Sequence, residues 1–270
     1  MKAEINKIRD RVYENNPLIH SITNPISINQ CANAVLAVGA RPMMAEHPKE
    51  AEEITKSANA LMLNLGNITD SRISSIMISA KTAEENNIPY ILDLVGIACS
   101  SHRREFCNSI MEQYTPSVIK GNYSEINALF NSAYKSAGVD ADASLTLDSI
   151  KKASVSLAKK YNTVVLASGK TDIITDGKRM VFVKNGSPFL SKVTGTGCML
   201  GALCACYLAE SDAYTAAICA CAVLGICGEM AETKKGNGSF MVSLMDNLSI
   251  LSGENLEKKL KLEETEIENI

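Results

Sequence analysis

The amino-acid sequence predicts an α/β fold: a mainly parallel central sheet flanked by helices, with short antiparallel strands added at one edge. Two observations carry this expectation. Through the first 160 residues, short apolar runs closed by turn residues alternate with longer stretches of helical period, the rhythm of repeated β-then-α units. Beyond them the pattern changes to closely spaced apolar segments separated by short turns such as Asp176-Gly177 and Asn185-Gly186, which reads as antiparallel additions. A chain of 270 residues with 46% hydrophobic content can bury one substantial core, so a single domain over 1–270 is expected.

In order, LIHSIT (18–23) reads as a strand, ISINQCANAVLAVGA as a helix, PMMA as a short apolar run, PKEAEEITKSA as a helix and ALMLNLG as a strand. Asp70 to Asn86 reads as a helix capped by Asp70, then YILDLVG as a strand, His102 to Gln113 as a helix and SVIKGN as a strand. Residues 131–146 have the look of an exposed insertion. After a helix at Leu147 to Lys160 come four expected strands, TVVLAS, DIITDG, RMVFVKNG and SPFLSKV. Helical stretches fill the C-terminal third, and the charged tail from Glu254 reads as a solvated amphipathic helix.

Composition removes several function classes. The formal net charge of −3 carries no basic excess to mark a nucleic-acid or membrane-surface partner. The first sixteen residues are polar and charged and lack the apolar centre of a secretory signal, so a cytoplasmic protein is expected. The most apolar region, Cys198 to Cys227, is interrupted by Glu210, Ser211 and Asp212 and reads as two buried helices. Most of the nine cysteines sit in apolar runs, as reduced core residues do, and no cysteine pair has zinc-ligand spacing with a histidine nearby. His20, within an apolar strand, reads as a hydrogen-bonded structural residue.

In open α/β sheets ligands bind beyond the carboxyl ends of the strands, which gives weight to the polar residues there. Val193-Thr194-Gly195-Thr196-Gly197-Cys198-Met199 opens an apolar helix. Its glycines allow a tight turn with free amide N–H groups, and the helix N-terminus adds its positive dipole end, together an anion hole suited to a phosphoryl group. Cys198 falls in the first helical turn, where the dipole favours thiolate; it reads either as a general base of lowered pKa or as a small buried residue of the turn. In Lys120-Gly121-Asn122-Tyr123-Ser124-Glu125, Asn122 is a helix cap, and Glu125 either completes a capping box or turns outward to hold Mg²⁺ through water. Asp93 ends a strand and brings a carboxylate to the same crevice.

Taken together and in order, these segments resemble the hydroxyethylthiazole kinase family of the ribokinase-like superfamily. The likeness spans nearly the whole chain: Pro17-Leu18-Ile19-His20-Ser21-Ile22-Thr23-Asn24, Gly39-Ala40-Arg41-Pro42-Met43-Met44-Ala45, Ala60-Leu61-Met62-Leu63-Asn64-Leu65-Gly66, the Asp93 strand end, Gly121-Asn122-x-x-Glu125, Lys192 to Cys198 and Gly238-Ser239-Phe240. The resemblance implies a ribokinase-like fold and a reaction in which ATP and Mg²⁺ convert 4-methyl-5-(2-hydroxyethyl)thiazole to its phosphate in thiamine salvage. It implies thiazole contacts from Asn24 and Met44, with Gly195 beside the hydroxyethyl arm. Lys120 and Ser168 lie on the ATP side with the Thr194 and Gly197 amide cradle, Asp93 and Glu125 organise magnesium, and Cys198 receives the hydroxyl proton. It further implies a homotrimer with sites between subunits, for which the small-residue helices between Gly197 and Gly228 offer apolar surface.

Some positions depart from the family pattern. Lys120 stands where arginine is more usual, keeping the charge without the bidentate fork. Ser168 stands for threonine, Leu94 for proline, and Lys170 for an acidic residue. Other readings on the same scaffold are a kinase for another vitamin-precursor alcohol, hydroxymethylpyrimidine or pyridoxal, a nucleotide-dependent lyase, or a ligand sensor that binds without turnover.

Overall fold

The computed structural model describes residues 1–136 and 145–267. Of the insertion expected over 131–146, residues 137–144 lie outside the described residues. The strands are β1 (Leu18–Ile22), β2 (Arg41–Met43), β3 (Ala60–Asn64), β4 (Tyr90–Asp93), β5 (Val118–Asn122), β6 (Val164–Ser168), β7 (Asp172–Thr175), β8 (Arg179–Val183) and β9 (Leu262–Glu266). They form one sheet in the order β2-β1-β3-β4-β5-β6-β7-β8-β9. Pairing is parallel from β2 to β6 and antiparallel from β6 to β9, which matches the expected architecture.

The helices are α1 (Lys2–Asn15), α2 (Ile28–Ala37), α3 (Pro48–Ser57), α4 (Asp70–Asn86), α5 (Ser101–Met111), α6 (Tyr123–Phe130), α7 (Leu147–Tyr161), α8 (Thr196–Leu208), α9 (Ala213–Met230), α10 (Asn237–Ile250) and α11 (Gly253–Lys259). Strand side chains alternate between two cores. Ala60, Met62, Ile91, Val118 and Leu166 face a layer built from α1, α2, α8, α9, α10 and α11. Leu61, Leu63, Leu92, Ile119 and Val165 face a layer built from α4, α5, α6 and α7. Because both faces are covered, the parallel strands are apolar at successive positions, and each fully buried Leu or Ile contributes about 1.5–3 kcal/mol. In β3 to β6 the charged, amide and serine side chains stand only towards the carboxyl ends, whereas β1 carries the buried His20 and Ser21 within the strand.

Several local expectations change. Thr69, not Asp70, caps α4, its hydroxyl accepting from the Arg72 N–H at 3.3 Å; Asp70 is the first helical residue. SPFLSKV is not a strand: Pro188 cannot donate to a ladder, the segment coils into a 3₁₀ turn at Leu190–Lys192, and Phe189 stacks on Phe240 with ring centroids 5.2 Å apart. The tail from Glu254 is not one helix. The short α11 gives way to β9, whose exposed Glu263, Glu264 and Glu266 suit an edge strand that must not recruit another chain. The two helices expected from Cys198 to Cys227 are α8 and α9; both are buried in the core, so they offer no surface for an interface between subunits. Of the nine free cysteines, Cys99 alone is exposed.

The close approach of α9 to the segment after β8 depends on Gly225: a Cβ there would lie 2.6 Å from the Asn185 carbonyl oxygen. Gly238, inside α10, has nothing within 4 Å of its would-be Cβ. Gly225→Ala must shift backbone and is expected to lower stability by about 1–3 kcal/mol, whereas Gly238→Ala is neutral or stabilising by up to about 1 kcal/mol. Urea unfolding of the two variants checks the contrast, and equal midpoints would contradict it.

Candidate functional site

Strand order reverses between β1, which is followed in the chain by β2 on one side, and β3, which lies on the other. Such a switch point opens a crevice beyond the carboxyl ends of the strands. Asn64 ends β3 in register with Asp93 of β4, and Asp93 is in register with Lys120 of β5. In-register neighbours in a parallel ladder project to the same face, here the one covered by α8. Asn24 follows β1, and Cys198 enters from the first turn of α8.

These five residues form one hydrogen-bonded cluster. The Lys120 ammonium donates to Asp93 Oδ1 at 2.9 Å, and Asn64 Nδ2 donates to Asp93 Oδ2 at 3.0 Å. Two asparagine amides converge on one sulfur: Asn24 Nδ2 lies 3.2 Å and Asn64 Nδ2 3.3 Å from Cys198 Sγ. Asp93 is 0% and Lys120 3% exposed. Burial pushes the Asp93 carboxyl up, while Lys120 and Asn64 draw it back down. Burial also works against the Lys120 charge, but Asp93, Glu125 and Cys198 outweigh it and hold the ammonium above its ordinary value. The 2.9 Å contact between bonding partners on both sides is that of an ionised pair.

The expected lowering of the Cys198 pKa does not hold. Burial, then the Asp93 carboxylate, push the thiol up against the opposing pull of Lys120, Ser27 and Asn24. A helix dipole worth at most about 2 kcal/mol in partly buried positions does not overcome desolvation beside a buried anion. A thiolate at this position is therefore scarce at neutral pH and correspondingly basic.

Around the cluster, Gly195 caps α8 in the left-handed region (φ 89°), where glycine carries no steric penalty. No side chain caps this helix, and the N–H groups of Thr196, Gly197 and Cys198 have no protein acceptor among the described residues. Lys120 lies beneath the turn, its Nζ 3.6 Å from where a Gly197 Cβ would stand. Thr194 is exposed at the rim. Met44 follows β2 at one end of the strand row, and Ser168 ends β6 at the other, its hydroxyl donating to the Gly121 carbonyl at 3.3 Å. Five strand spacings of ~4.8 Å separate β2 from β6, roughly 24 Å of crevice. His20 is structural as expected, bonded to Thr55 Oγ1 at 3.1 Å and the Ala45 carbonyl at 2.9 Å.

Glu125 takes the capping-box alternative. Its Oε2 accepts from the Asn122 N–H at 2.8 Å while Asn122 accepts from the Glu125 N–H, and Oε1 accepts from the Gly96 N–H at 2.9 Å. Among the described residues no three His, Cys, Asp or Glu side chains converge as a metal-ligand group. With Asp93 and Glu125 both engaged, the donor set does not suit a metal chelated by protein alone. It fits a magnesium ion carried by phosphates and reached through water, since Mg²⁺ usually keeps several waters beside one or two carboxylates.

Asn64 is the cluster member to which sequence reasoning gave no role. Its signal was present: ALMLN, like YILD, is an apolar run ending in one polar residue.

A family model described as the hydroxyethylthiazole kinase family matches residues 9–254. Hydroxyethylthiazole kinase 2 of Clostridium botulinum strain Hall is 43% identical over 265 residues, covering 95% of this chain and 98% of the relative. Hydroxyethylthiazole kinase of C. botulinum strain Eklund 17B is 42% identical over 272 residues, covering 96% and 98%. Among solved structures, a hydroxyethylthiazole kinase protein from Pyrococcus horikoshii OT3 aligns with a TM-score of 0.90 at 33% identity, covering 98% of this chain and 100% of that one. The pyridoxal kinase of Staphylococcus aureus in complex with ADP shares the fold, with a TM-score of 0.66 at 15% identity over 93% of this chain and 99% of the other.

Burial raises the Glu125 pKa from 4.5 to about 7, with Asp93 adding to the rise and Lys120 opposing it. The folded protein thus binds more protons than the unfolded chain between those values, so stability falls as pH rises through that window, by an amount of the order of 3 kcal/mol. Asp172, raised by burial to about 6, acts in the same sense, and His20, lowered by burial, in the opposite sense below its ordinary value. Both are common to wild type and Glu125→Gln, so the difference in unfolding free energy between them at pH 5, 6 and 7.5 isolates Glu125. The variant is expected to show the flatter profile; parallel profiles would contradict the raised pKa.

Proposed function

The chain belongs to the hydroxyethylthiazole kinase family, and from that premise we propose that it transfers the γ-phosphate of ATP to the hydroxyethyl alcohol of 4-methyl-5-(2-hydroxyethyl)thiazole, a step of thiamine salvage. The fold is ribokinase-like. The observation that carries the reading is the hydrogen-bonded cluster of Asn24, Asn64, Asp93, Lys120 and Cys198 beneath the uncapped N-terminus of α8. It brings a proton acceptor, a buried cation and free amide donors to one point of the crevice.

In this reading Asn24 and Met44 hold the thiazole, and Gly195 leaves room for its hydroxyethyl arm. Ser168 and Lys120 serve the nucleotide side, with Thr194 and Gly197 of the cradle. The amides at the start of α8 and the Lys120 ammonium stabilise charge on the transferring phosphoryl group, which is most of what a loose phosphoryl-transfer transition state requires. Magnesium, when bound with the nucleotide, neutralises phosphate charge. Asp93 and Glu125 are the carboxylates that would support it, through water. Cys198 Sγ takes the hydroxyl proton as the alcohol oxygen attacks. The Asn24 and Asn64 amides and Lys120 give the sulfur three favourable partners as negative charge grows there. A soluble, cytoplasmic protein is in keeping with α9, the one helix among the described residues long and apolar enough to cross a membrane, being 83% buried in the fold.

The homotrimer belongs to the same proposal. Its support is the exposure of four large apolar side chains, Ile26 just before α2, Leu36 on α2, and Val242 and Ile250 on α10, on two helices that pack against each other. Light scattering at micromolar concentration is expected to give three times the chain mass; a stable monomer would refute it.

A coupled ADP-release assay with the thiazole alcohol tests the reaction, with hydroxymethylpyrimidine and pyridoxal as competing alcohols. Turnover of either competitor above the thiazole would overturn the assignment. Binding without ADP release would mark a sensor.

Cys198→Ala is expected to lower kcat by roughly 10²-fold with little change in the thiazole KM. Cys198→Asp is expected to keep more activity than Ala, because Lys120 and the Asn24 and Asn64 N–H groups would face its carboxylate at that position. Because the thiol pKa is raised, wild-type kcat should still be climbing at pH 9, and the climb should vanish in Cys198→Ala. An Ala variant close to wild type, with Asp worst of the series, would remove Cys198 from the chemistry.

A further inference from the structure

We propose that Arg72 is a positioning residue that locks three strand-end loops of the crevice into one substrate-binding wall. This rests on the proposed thiazole side of the site, though Arg72 itself touches none of the residues assigned to chemistry. Its place is unusual. Arg72 is the third residue of α4, in the first turn of a helix, where the dipole disfavours a cation, and it is 2% exposed. A buried guanidinium is tolerated only when its donors are satisfied.

Its partners come from three separate loops. Nη2 donates to the Thr23 carbonyl, the residue before Asn24 in the loop after β1. Nε donates to Glu46 Oε2 at 2.8 Å, two residues after Met44 in the loop after β2. Nη1 donates to the Asn67 carbonyl at 2.9 Å and approaches the Gly66 carbonyl at 3.5 Å, in the loop after β3 that begins at Asn64. Ser75, one turn along α4, adds a bond from its hydroxyl to the Glu46 carbonyl at 2.7 Å. The planar fork of arginine can serve three directions at once, and a lysine ammonium at the end of a flexible stem cannot reproduce that geometry.

The consequence is division of labour. β1, β2 and β3 lie on the thiazole side of the strand row, and none of the Arg72 partners belongs to β5, β6 or the α8 cradle. Loosening the clamp displaces Asn24 and Met44 together while leaving the nucleotide side in place. Small displacements of positioning groups have large effects on ligand capture.

The test is a split between Michaelis constants. Arg72→Met is expected to raise KM for the thiazole alcohol about tenfold or more, with KM for ATP within about threefold of wild type; kcat falls as well, because the displaced Asn24 also bonds the Cys198 sulfur. Arg72→Lys is expected to recover part of the loss, and guanidinium chloride at millimolar concentration to lower the thiazole KM of Arg72→Ala. Amide hydrogen exchange is expected to accelerate together in residues 23–27, 44–47 and 66–68 of Arg72→Met, and to stay slow in β6, β7 and β8. Should Arg72→Met fail to fold, Glu46→Ala removes one half-exposed anchor and is expected to shift the thiazole KM and the exchange of 44–47 in the same direction. Either an unchanged thiazole KM or the two KM values rising together with a general loss of exchange protection would overturn the clamp. Absence of wild-type turnover with the thiazole alcohol would instead sink the substrate assignment, and the exchange pattern would still judge the clamp.

Discussion

The Lys120–Asp93 ion pair is the constraint around which the crevice is arranged. Two opposite charges are held almost completely out of water between β4, β5 and α8. Desolvation of such a pair offsets most of its attraction, so the pair adds little net stability, whereas removing one partner strands the other at a cost of about 3–5 kcal/mol. What the pair supplies is a fixed field. Asp93 anchors Asn64, which reaches the Cys198 sulfur, and Lys120 sits under the α8 turn. The same carboxylate that orders the cluster also raises the thiol pKa, so position and basicity of Cys198 have one origin.

The crevice is assembled from two halves of different character. On the side of β1, β2 and β3, the strand ends and the loops after them carry neutral amides and a methionine, with the buried Arg72 bonded to all three loops. On the side of β5, β6 and α8, a cation, backbone amides and hydroxyls predominate. The first suits an uncharged heterocycle, the second a polyphosphate. The sheet order makes this partition possible, because the switch point between β1 and β3 puts the first three loops beside one another.

Much of this was legible from sequence. The parallel rhythm, the antiparallel edge and the polar residues closing apolar runs led to Asp93 and Cys198 without a structure, and the family resemblance added Lys120. Three things were not legible, for physical reasons. The sign of the Cys198 pKa depends on burial and on Asp93, both set by tertiary packing. The choice of Glu125 between cap and outward ligand depends on the Gly96 N–H, twenty-nine residues away. Arg72 lies in a polar stretch whose sequence reads as an exposed helix start, and its role exists only because three loops close over it. SPFLSKV and the tail after Glu254 were misread locally, the first because Pro188 disfavours a ladder, the second because an edge strand of charged residues looks like a solvated helix.

The sequence separation within the cluster has a kinetic consequence. Cys198 contacts Asn24 across 174 residues and Asn64 across 134, because α8 returns late in the chain to pack on strands laid down early. Closing loops of that length costs entropy before any contact rewards it, so such contacts form slowly and late. During refolding, helix content and the sheet between β3 and β6 should recover ahead of the crevice. A chain emerging from the ribosome would hold its first eight strands without the helix that completes the site, leaving the apolar face of β1, β3 and β4 open until α8 is made and packs. The reduced cysteines of α8 and α9 are thus most accessible to oxidants in the newborn protein, and oxidative damage to this molecule should track its rate of synthesis more closely than the amount already folded.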